Sequence, residues 1–386
     1  KCDWSSDVCS SDLLEAYAPT DFVDIGRVIY VQVSSSETCT PSGIAALHDN
    51  SDKTYAAEHA INGMYYDNLE HLGYAVPESF GLKNFKNTAD IEINILRWWQ
   101  HRIFRNSGVS ADGTEIYLDT DWLTSLQSTA YSDRITWIEN AYEFIDQPGE
   151  WYLNRSESKL YYKPDGSMDG KSATLPVTEQ LLVFEGTENI TFDGVKFEDT
   201  SWLTPNEIGY NDAQSGTYAQ HNGVWGDVPG AIETHAAKNI TITNSELRNL
   251  GIGGIRIGNG SSDCAITNSA IHDISSSGIF IGNNTGHNHG YCDPGTDVTG
   301  VVVRNNYITR TGLDIFGSSA ICALYTSDTV IDHNEVCYTT YTGISLGWGW
   351  DWKNAPCSGN NTVSNNYIHD TGKTIHDGGS FYSLGL

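Results

Sequence analysis

The second half of the chain alternates apolar and polar positions in a pattern that returns every 23 residues or so. The segments AIETHAAKNITITNSELRNLGIG, GIRIGNGSSDCAITNSAIHDISSS, AICALYTSDTVIDHNEVCYTTYT and GISLGWGW with NTVSNNYIHDTGK align on two apolar columns. One column reads Ile242, Ile266, Val303, Ile331 and Val363, and five residues later the other reads Leu247, Ile271, Ile308, Val336 and Ile368. A polar column of Asn244, Asn268, Asn305, His333 and Asn365 stands between them. The units are rich in β-branched residues, bounded by Gly and alternate with period two, which predicts strands and disfavours a helical solenoid. A strand, an Asn-bearing turn and another strand at near-constant period predict one coil of a parallel β-helix. Parallel crossovers are overwhelmingly right-handed, so the predicted solenoid is right-handed. Asn suits the turn because it tolerates tight backbone conformations, and it is expected to stack as an amide ladder between coils.

The predicted fold class is therefore all-β, a right-handed parallel β-helix over residues 176–386 preceded by an irregular, mostly β unit over residues 14–175. In that unit RWWQHRIF (Arg97–Phe104), TEIYLD (Thr114–Asp119) and GEWYLNRSESKLYYKP (Gly149–Pro164) read as antiparallel strands. The last of these is a hairpin, two aromatic-rich runs around a polar turn. WIENAYEFI (Trp137–Ile145) spaces its apolar residues as a short helix would. The first coil is read as Leu181–Asp199, followed by a loop of about 30 residues, Thr200–Gly230. A structureless loop of that length inside a regular repeat is usually functional or flexible. Another insert, NNTGHNHGYCDPGTD (Asn283–Asp297), and two stretched links of equal length, Thr311–Ala320 and Thr371–Ser380, interrupt later coils. Insertions in a solenoid commonly collect on its binding face.

Both ends have their own signals. The opening KCDWSSDVCSSDL (Lys1–Leu13) resembles a translated sequencing-library adapter and is expected to contribute nothing to the fold. The final SFYSLGL reads as the first strand of a further coil, so the protein is expected to continue. Six other cysteines, Cys39, Cys264, Cys292, Cys322, Cys337 and Cys357, lack C-x-x-C spacing. They are compatible with one or two disulfides or with buried thiols, and zinc gains little support from them. Acidic residues outnumber basic ones 49 to 21, a formal charge of −28. That field argues against nucleic acid, anionic membranes and strongly anionic substrates as partners.

The runs WIENAYEFIDQPGEWYLNRSESKLYYKP, HAAKNITI, YTGISLGWGWDW and HDGGSFYSLG, in that order, resemble the β-helix proteins of bacterial carbohydrate degradation. Within that group the chain is most similar to the family-141 glycoside hydrolases, over roughly Ala89 to Leu386; Ala16 to Thr88 matches poorly. The resemblance implies a secreted or periplasmic bacterial enzyme, its signal peptide lost upstream, acting as a monomer on a plant or algal polysaccharide. Activities in the family include α-L-fucosidase and xylanase, and relatives continue past the D-G-G motif. A β-helix polysaccharide lyase and a non-catalytic carbohydrate-binding or adhesive solenoid are the alternatives. No cofactor or metal is expected; the His-rich run His287–Asp293 lacks recognised ligand spacing.

Glycoside hydrolysis needs two carboxyl groups, one protonated and one ionised. Alternation along each first strand puts Glu233, Arg256, Phe280, Cys322, Ser345 and Tyr382 in one outward column, with the stretched links at its edge. Asp377 is the first catalytic candidate, since Gly378 and Gly379 free the backbone beside it and His376 is placed to tune it. Asp314, in the matching link two coils earlier, is its expected partner at roughly 10 Å, from about 4.8 Å per coil. Glu335 is the third candidate. Substrate contacts are expected from His376, Tyr382, Glu233, Arg256 and one tryptophan of GWGWDW (Trp348, Trp350 or Trp352), whose indole can stack on a sugar ring. His272–Asp273 and His369–Asp370 recur at one repeat position and read as turn-stabilising pairs.

Overall fold

A computed structural model describes residues 64–67, 71–76, 78–97, 99–118, 137–219, 225–282, 295–347 and 358–384. From residue 182 onward the chain winds through three parallel sheets, with seven described strands in the first and six in each of the others. The first sheet runs from Leu182–Glu185 to Phe381–Ser383, the second from Glu188–Asp193 to Thr362–Ser364, and the third from Lys196–Thr200 to Tyr367–His369. Both apolar columns hold in register. Ile242, Ile266, Val303, Ile331 and Val363 are successive partners in the second sheet. Leu247, Ile271, Ile308, Val336 and Ile368 are successive partners in the third. A third interior column, Ile232, Ile255, Ile279, Ile321 and Ile344, completes the core. Each fully buried Ile or Leu in such a stack contributes about 1.5–3 kcal/mol.

The corners explain the polar column. Asn244, Asn268, Asn305, His333 and Asn365 all have φ between 51° and 57°. Equivalent left-handed residues stand five positions away on either side, as at Asn239 and Asn249 around Asn244. For most L-residues this conformation costs about 1–2 kcal/mol, and Asn and Asp relieve it through local hydrogen bonds. The amide ladder, however, lies one residue further on. Asn305 does bond Asn268 across coils at 2.8 Å, but Asn244 and Asn365 turn to Asp193 and Asp332 instead. It is the inward-pointing side chains of Ser245, Ser269, Asn306, Asn334 and Asn366, the first four buried, that accept backbone N–H groups from the preceding coil. The left-handed residue turns the chain, and its successor points inward to satisfy the turn's orphaned amides.

Among the described residues, the region before the solenoid supplies six strands of a nine-stranded sheet, including the antiparallel strands Glu92–Arg97 and Gln100–Val109. RWWQHRIF therefore straddles the turn between two strands rather than forming one. The hairpin Trp151–Asn154 with Lys159–Tyr162 forms as its sequence predicts. WIENAYEFI is no helix: Trp137–Glu139 is a strand beside Glu92–Arg97, Asn140 turns left-handed at φ 56°, and Tyr142–Phe144 is a 3-10 turn. Pairing with a neighbouring strand has overridden a short apolar period.

The described residues of the loop after the first coil have regular structure too. It holds a short helix, Thr204–Ile208, and the strands Tyr210–Gln214, Thr217–Ala219 and Trp225–Asp227. Tyr210–Gln214 pairs with Gln100–Val109, so this excursion from the solenoid extends the preceding sheet and binds the two regions together. Cys264, Cys322 and Cys337 are buried free thiols. No helix of the described residues is long and apolar enough to cross a membrane. Lys1–Leu13 lie outside the described residues.

The ladder and the corner make separable contributions. Asn334→Ala strands buried partners on both neighbouring coils and should lower the unfolding free energy by about 2–3 kcal/mol. Asn365→Gly keeps the left-handed corner accessible and should change it by less than about 1 kcal/mol. Denaturant titration of the two variants checks the ordering.

Candidate active site

The link 311–320 begins at Gly312, with φ 75°, and folds back over the preceding coil. Gly312, Leu313 and Ile315 donate their amides to the carbonyls of Ser276, Ile274 and Ser275, and buried Ile315 anchors the fold-back. Its outer side rests on the preceding sheet. The Phe316 amide donates to His101 Nδ1 at 3.3 Å, and the two rings stack with centroids 4.7 Å apart. Trp137 stacks on the same imidazole at 5.3 Å. Because Nδ1 accepts, Nε2 carries the proton and donates to Asn94 Oδ1 at 2.9 Å. Burial lowers the His101 pKa to about 3, so this imidazole stays neutral.

Three carboxyl groups surround this link. Asp314 Oδ2 accepts a short hydrogen bond from Ser275 Oγ. Burial pushes the Asp314 pKa up to about 7, with the nearby Glu139 charge adding to the effect. Glu139 accepts from Trp137 Nε1 at 3.0 Å and stands directly across the strand pair from Glu92. Arg155 and Asn206 both donate to Glu92, so the local cation serves that glutamate. Burial, and then the charge of Glu92, raise the pKa of Glu139. Like charges facing across a strand pair are unfavourable, and a proton on Glu139 relieves the clash.

Asp212 is the third. It lies buried on Tyr210–Gln214, accepting the His101 amide at 3.0 Å and the Tyr210 hydroxyl at 3.3 Å, and burial lifts its pKa to about 7. It packs so closely beneath the link that a Cβ at Gly317 would meet Asp212 Oδ2 at 1.8 Å. Two residues on, Gln214 donates to the Tyr341 hydroxyl at 3.2 Å.

Of the residues read from sequence, Asp314 enters this cluster. Asp377 occupies the second link, which repeats the fold-back: Gly372, Lys373 and Ile375 donate to Tyr341, Thr339 and Thr340. Position by position, Asp377 corresponds to Gly317 and Thr374 to Asp314. Asp377 is exposed, and His376 bonds the Gly372 carbonyl at 2.7 Å through Nδ1. Gly378 abuts the Tyr341 ring, and Tyr382 and Asp212 lie near enough to Tyr341 to reinforce burial in pushing its hydroxyl up to about 12. Asp212, Tyr341 and Tyr382 thus connect the two links.

The outward column of the first sheet keeps its predicted register, but Glu233, Phe280, Cys322 and Ser345 are buried rather than open to a ligand. Arg256 bridges Glu233 and Asp227, both at 2.7 Å, and so fastens Trp225–Asp227 onto the sheet. Glu335 stands exposed on the third sheet, where it bonds His369 rather than any of the three carboxyl groups. The His–Asp pairs bond as turn partners, His272 to Asp273 at 2.7 Å and His369 to Asp370 at 2.9 Å. Trp348, Trp350, Trp352 and His287–Asp293 lie outside the described residues.

Sequence reading did not single out Glu139, Asp212, His101, Trp137 or Phe316. Glu139 was hidden by the helical reading of its segment. For Asp212 a signal existed, the long insertion in a regular repeat.

Asp212 gives a pH test. A carboxyl with the ordinary value of 3.8 in the unfolded chain and about 7 in the folded one binds its proton more tightly when folded. Its contribution is present below the unfolded value and is lost as pH rises through that window. Asp212→Asn is uncharged throughout, so its thermal midpoint should fall less than the parent's between those two pH values.

Residues 230–384 match the family model described as a right handed beta helix region. Among solved structures, the chain is similar to a glycoside hydrolase with TM-score 0.65 and 22% identity, over 84% of this chain and 62% of that one. It therefore spans less than two thirds of that protein's length. It is also similar to the complex of XylC with xylose, with TM-score 0.38 and 13% identity over 79% of this chain and 52% of that one. An alginate lyase from Paenibacillus sp. str. FPU-7 matches with TM-score 0.23 and 16% identity, over 51% of this chain and 73% of that one. A comparison with curated proteins finds no match. Strand pairing, family model and structural likeness agree that the coiled region is a right-handed parallel β-helix.

Proposed function

We propose that the protein is a secreted or periplasmic glycoside hydrolase acting on plant or algal polysaccharide, with Glu139 and Asp314 as its carboxyl pair. The observation that carries this reading is the enclosure of three carboxyl groups around one solenoid link, each raised to about 7 by burial, beside the rings of Trp137 and Phe316. Glycosidic cleavage requires an acid still protonated near neutral pH, and burial beside another carboxylate is the usual means of keeping one. Glu139 is the better general acid, because Arg155 compensates Glu92 and leaves the proton to its neighbour. Asp314 then acts as nucleophile or as base toward water, steadied by Ser275. The half-buried rings of Trp137 and Phe316 offer apolar faces to pyranose C–H groups. The acidic net charge favours a neutral glycan over a polyuronate. Similarity in fold to a glycoside hydrolase supports the same class.

Incubation with a panel of neutral and acidic polysaccharides tests the class. New reducing ends without ultraviolet absorbance support a hydrolase, absorbance from an unsaturated uronate means a lyase, and retention without cleavage means a binder. Within a hydrolase, Glu139→Gln and Asp314→Asn should each lower turnover by about 10²-fold or more. Turnover should decline as pH rises above about 7, where Glu139 loses its proton, and also as pH falls below about 7, where Asp314 gains one, giving a bell-shaped profile. A comparable loss in Asp377→Asn, with Asp314→Asn near normal, would move the chemistry to the second link.

A further inference from the structure

Glu335 and Cys337 lie two residues apart on one strand of the third sheet, so both side chains face outward. His369 is the direct partner of Cys337 on the next coil. One donor atom from each of the three falls within 4.8 Å of the others. The imidazole is already oriented, for Nδ1 bonds Asp370 Oδ2 at 2.9 Å and Nε2 faces Glu335 Oε1 at 3.4 Å. With the proton on Nδ1, the Nε2 lone pair is directed toward the other two donors. Carboxylates hold metal-binding histidines in the same manner. Cys337 is 1% exposed, and its thiol, a weak donor, donates to Tyr307 Oη at 3.8 Å and Thr309 Oγ1 at 3.4 Å.

The solenoid contains its own control. Three coils earlier Glu246, Arg248, His272 and Asp273 occupy the same register, with His272 Nε2 on Glu246 at 3.2 Å and Nδ1 on Asp273 at 2.7 Å. There the third place belongs to the Arg248 guanidinium, which also binds Glu198. At the later site a thiol replaces that cation, while the glutamate, the histidine and its aspartate are repeated.

We propose that Glu335, Cys337 and His369 bind a divalent cation of the zinc class, joining two consecutive coils. Thiolate, imidazole and carboxylate together suit a borderline-soft ion, and three protein ligands leave a fourth tetrahedral position for water. On binding, the Cys337 thiol releases its proton to solvent and its sulfur bonds the metal, with no change of oxidation state. Glu246, Arg248 and His272 bind none, since the guanidinium fills the place of the ion.

The test uses the whole chain, freed of metal with a chelator and titrated with zinc alone, then with cobalt as a spectroscopic substitute. Wild-type protein should bind one more equivalent of zinc than Cys337→Ser and should show a thiolate-to-cobalt charge-transfer band that this variant lacks. His369→Gln, a change on the surface, should lose the same equivalent, and Asp370→Asn should weaken affinity by about 10–100-fold. His272→Gln should match wild type. A His287→Ala, His289→Ala variant removes any contribution from the His-rich segment and should keep the charge-transfer band. Equal zinc content in wild type and Cys337→Ser, or a band that survives the loss of Cys337, overturns the assignment.

Discussion

The structure depends on a left-handed residue returning at five-residue intervals around each coil. At Asn239, Asn244 and Asn249 the backbone turns without leaving the solenoid, and the short strands between corners inherit a fixed register. This is why insertions can be so unequal and the columns so regular. In the two stretched links, extra residues enter after the third corner, following Arg310 and Asp370, and fold back onto the previous coil instead of lengthening a strand. Tyr307–Thr311 still pairs with both of its neighbours. A loop can therefore acquire chemistry without disturbing the apolar stack beneath it.

Chemistry begins where such a loop is covered. The excursion after the first coil supplies a strand to the preceding sheet, and that strand carries Asp212 underneath Gly317. Desolvating one isolated carboxylate is expensive, and retaining a proton is the cheaper outcome. The distribution of cations then decides which acid does so. Arg155 pairs directly with Asp90 and Glu92, whereas the hydrogen bonds to Glu139 come from the neutral side chains of Trp137 and Asn94. Neutral His101 fits this setting, since a protonated ring could not accept the Phe316 amide that holds the link in place.

How much of this was legible depends on whether the signal was local or repeated. The apolar columns could be read because every coil restates them, and Asp314 because its link breaks the period. Asn at the corners could be read too: its tolerance of a tight backbone turn holds, and the ladder expected of the same residue does not. The ladder belongs to the next residue, where Ser245 and Ser269 give way to Asn306, Asn334 and Asn366 with no conspicuous motif. Glu139 and Asp212 could not be placed together, because antiparallel pairings between strands far apart in the chain leave no periodic trace. The outward column of the first sheet shows the converse limit. Alternation says which side chains leave the core, but not whether another layer then covers them, as it covers Glu233 and Ser345.

A solenoid also changes what counts as a motif. Glu246, Arg248 and His272 are scattered in the linear sequence, yet they form one surface unit because parallel pairing places Arg248 opposite His272. The same unit recurs at Glu335, Cys337 and His369, with one member exchanged. Linear spacing rules for metal ligands assume that a turn or helix brings them together. Here the strand spacing of adjacent coils does so, and the distance along the chain is set by whatever loop intervenes. Substituting a single column position can therefore convert an ion pair into a different kind of cation site while the corner, the histidine tautomer and the core remain as they were.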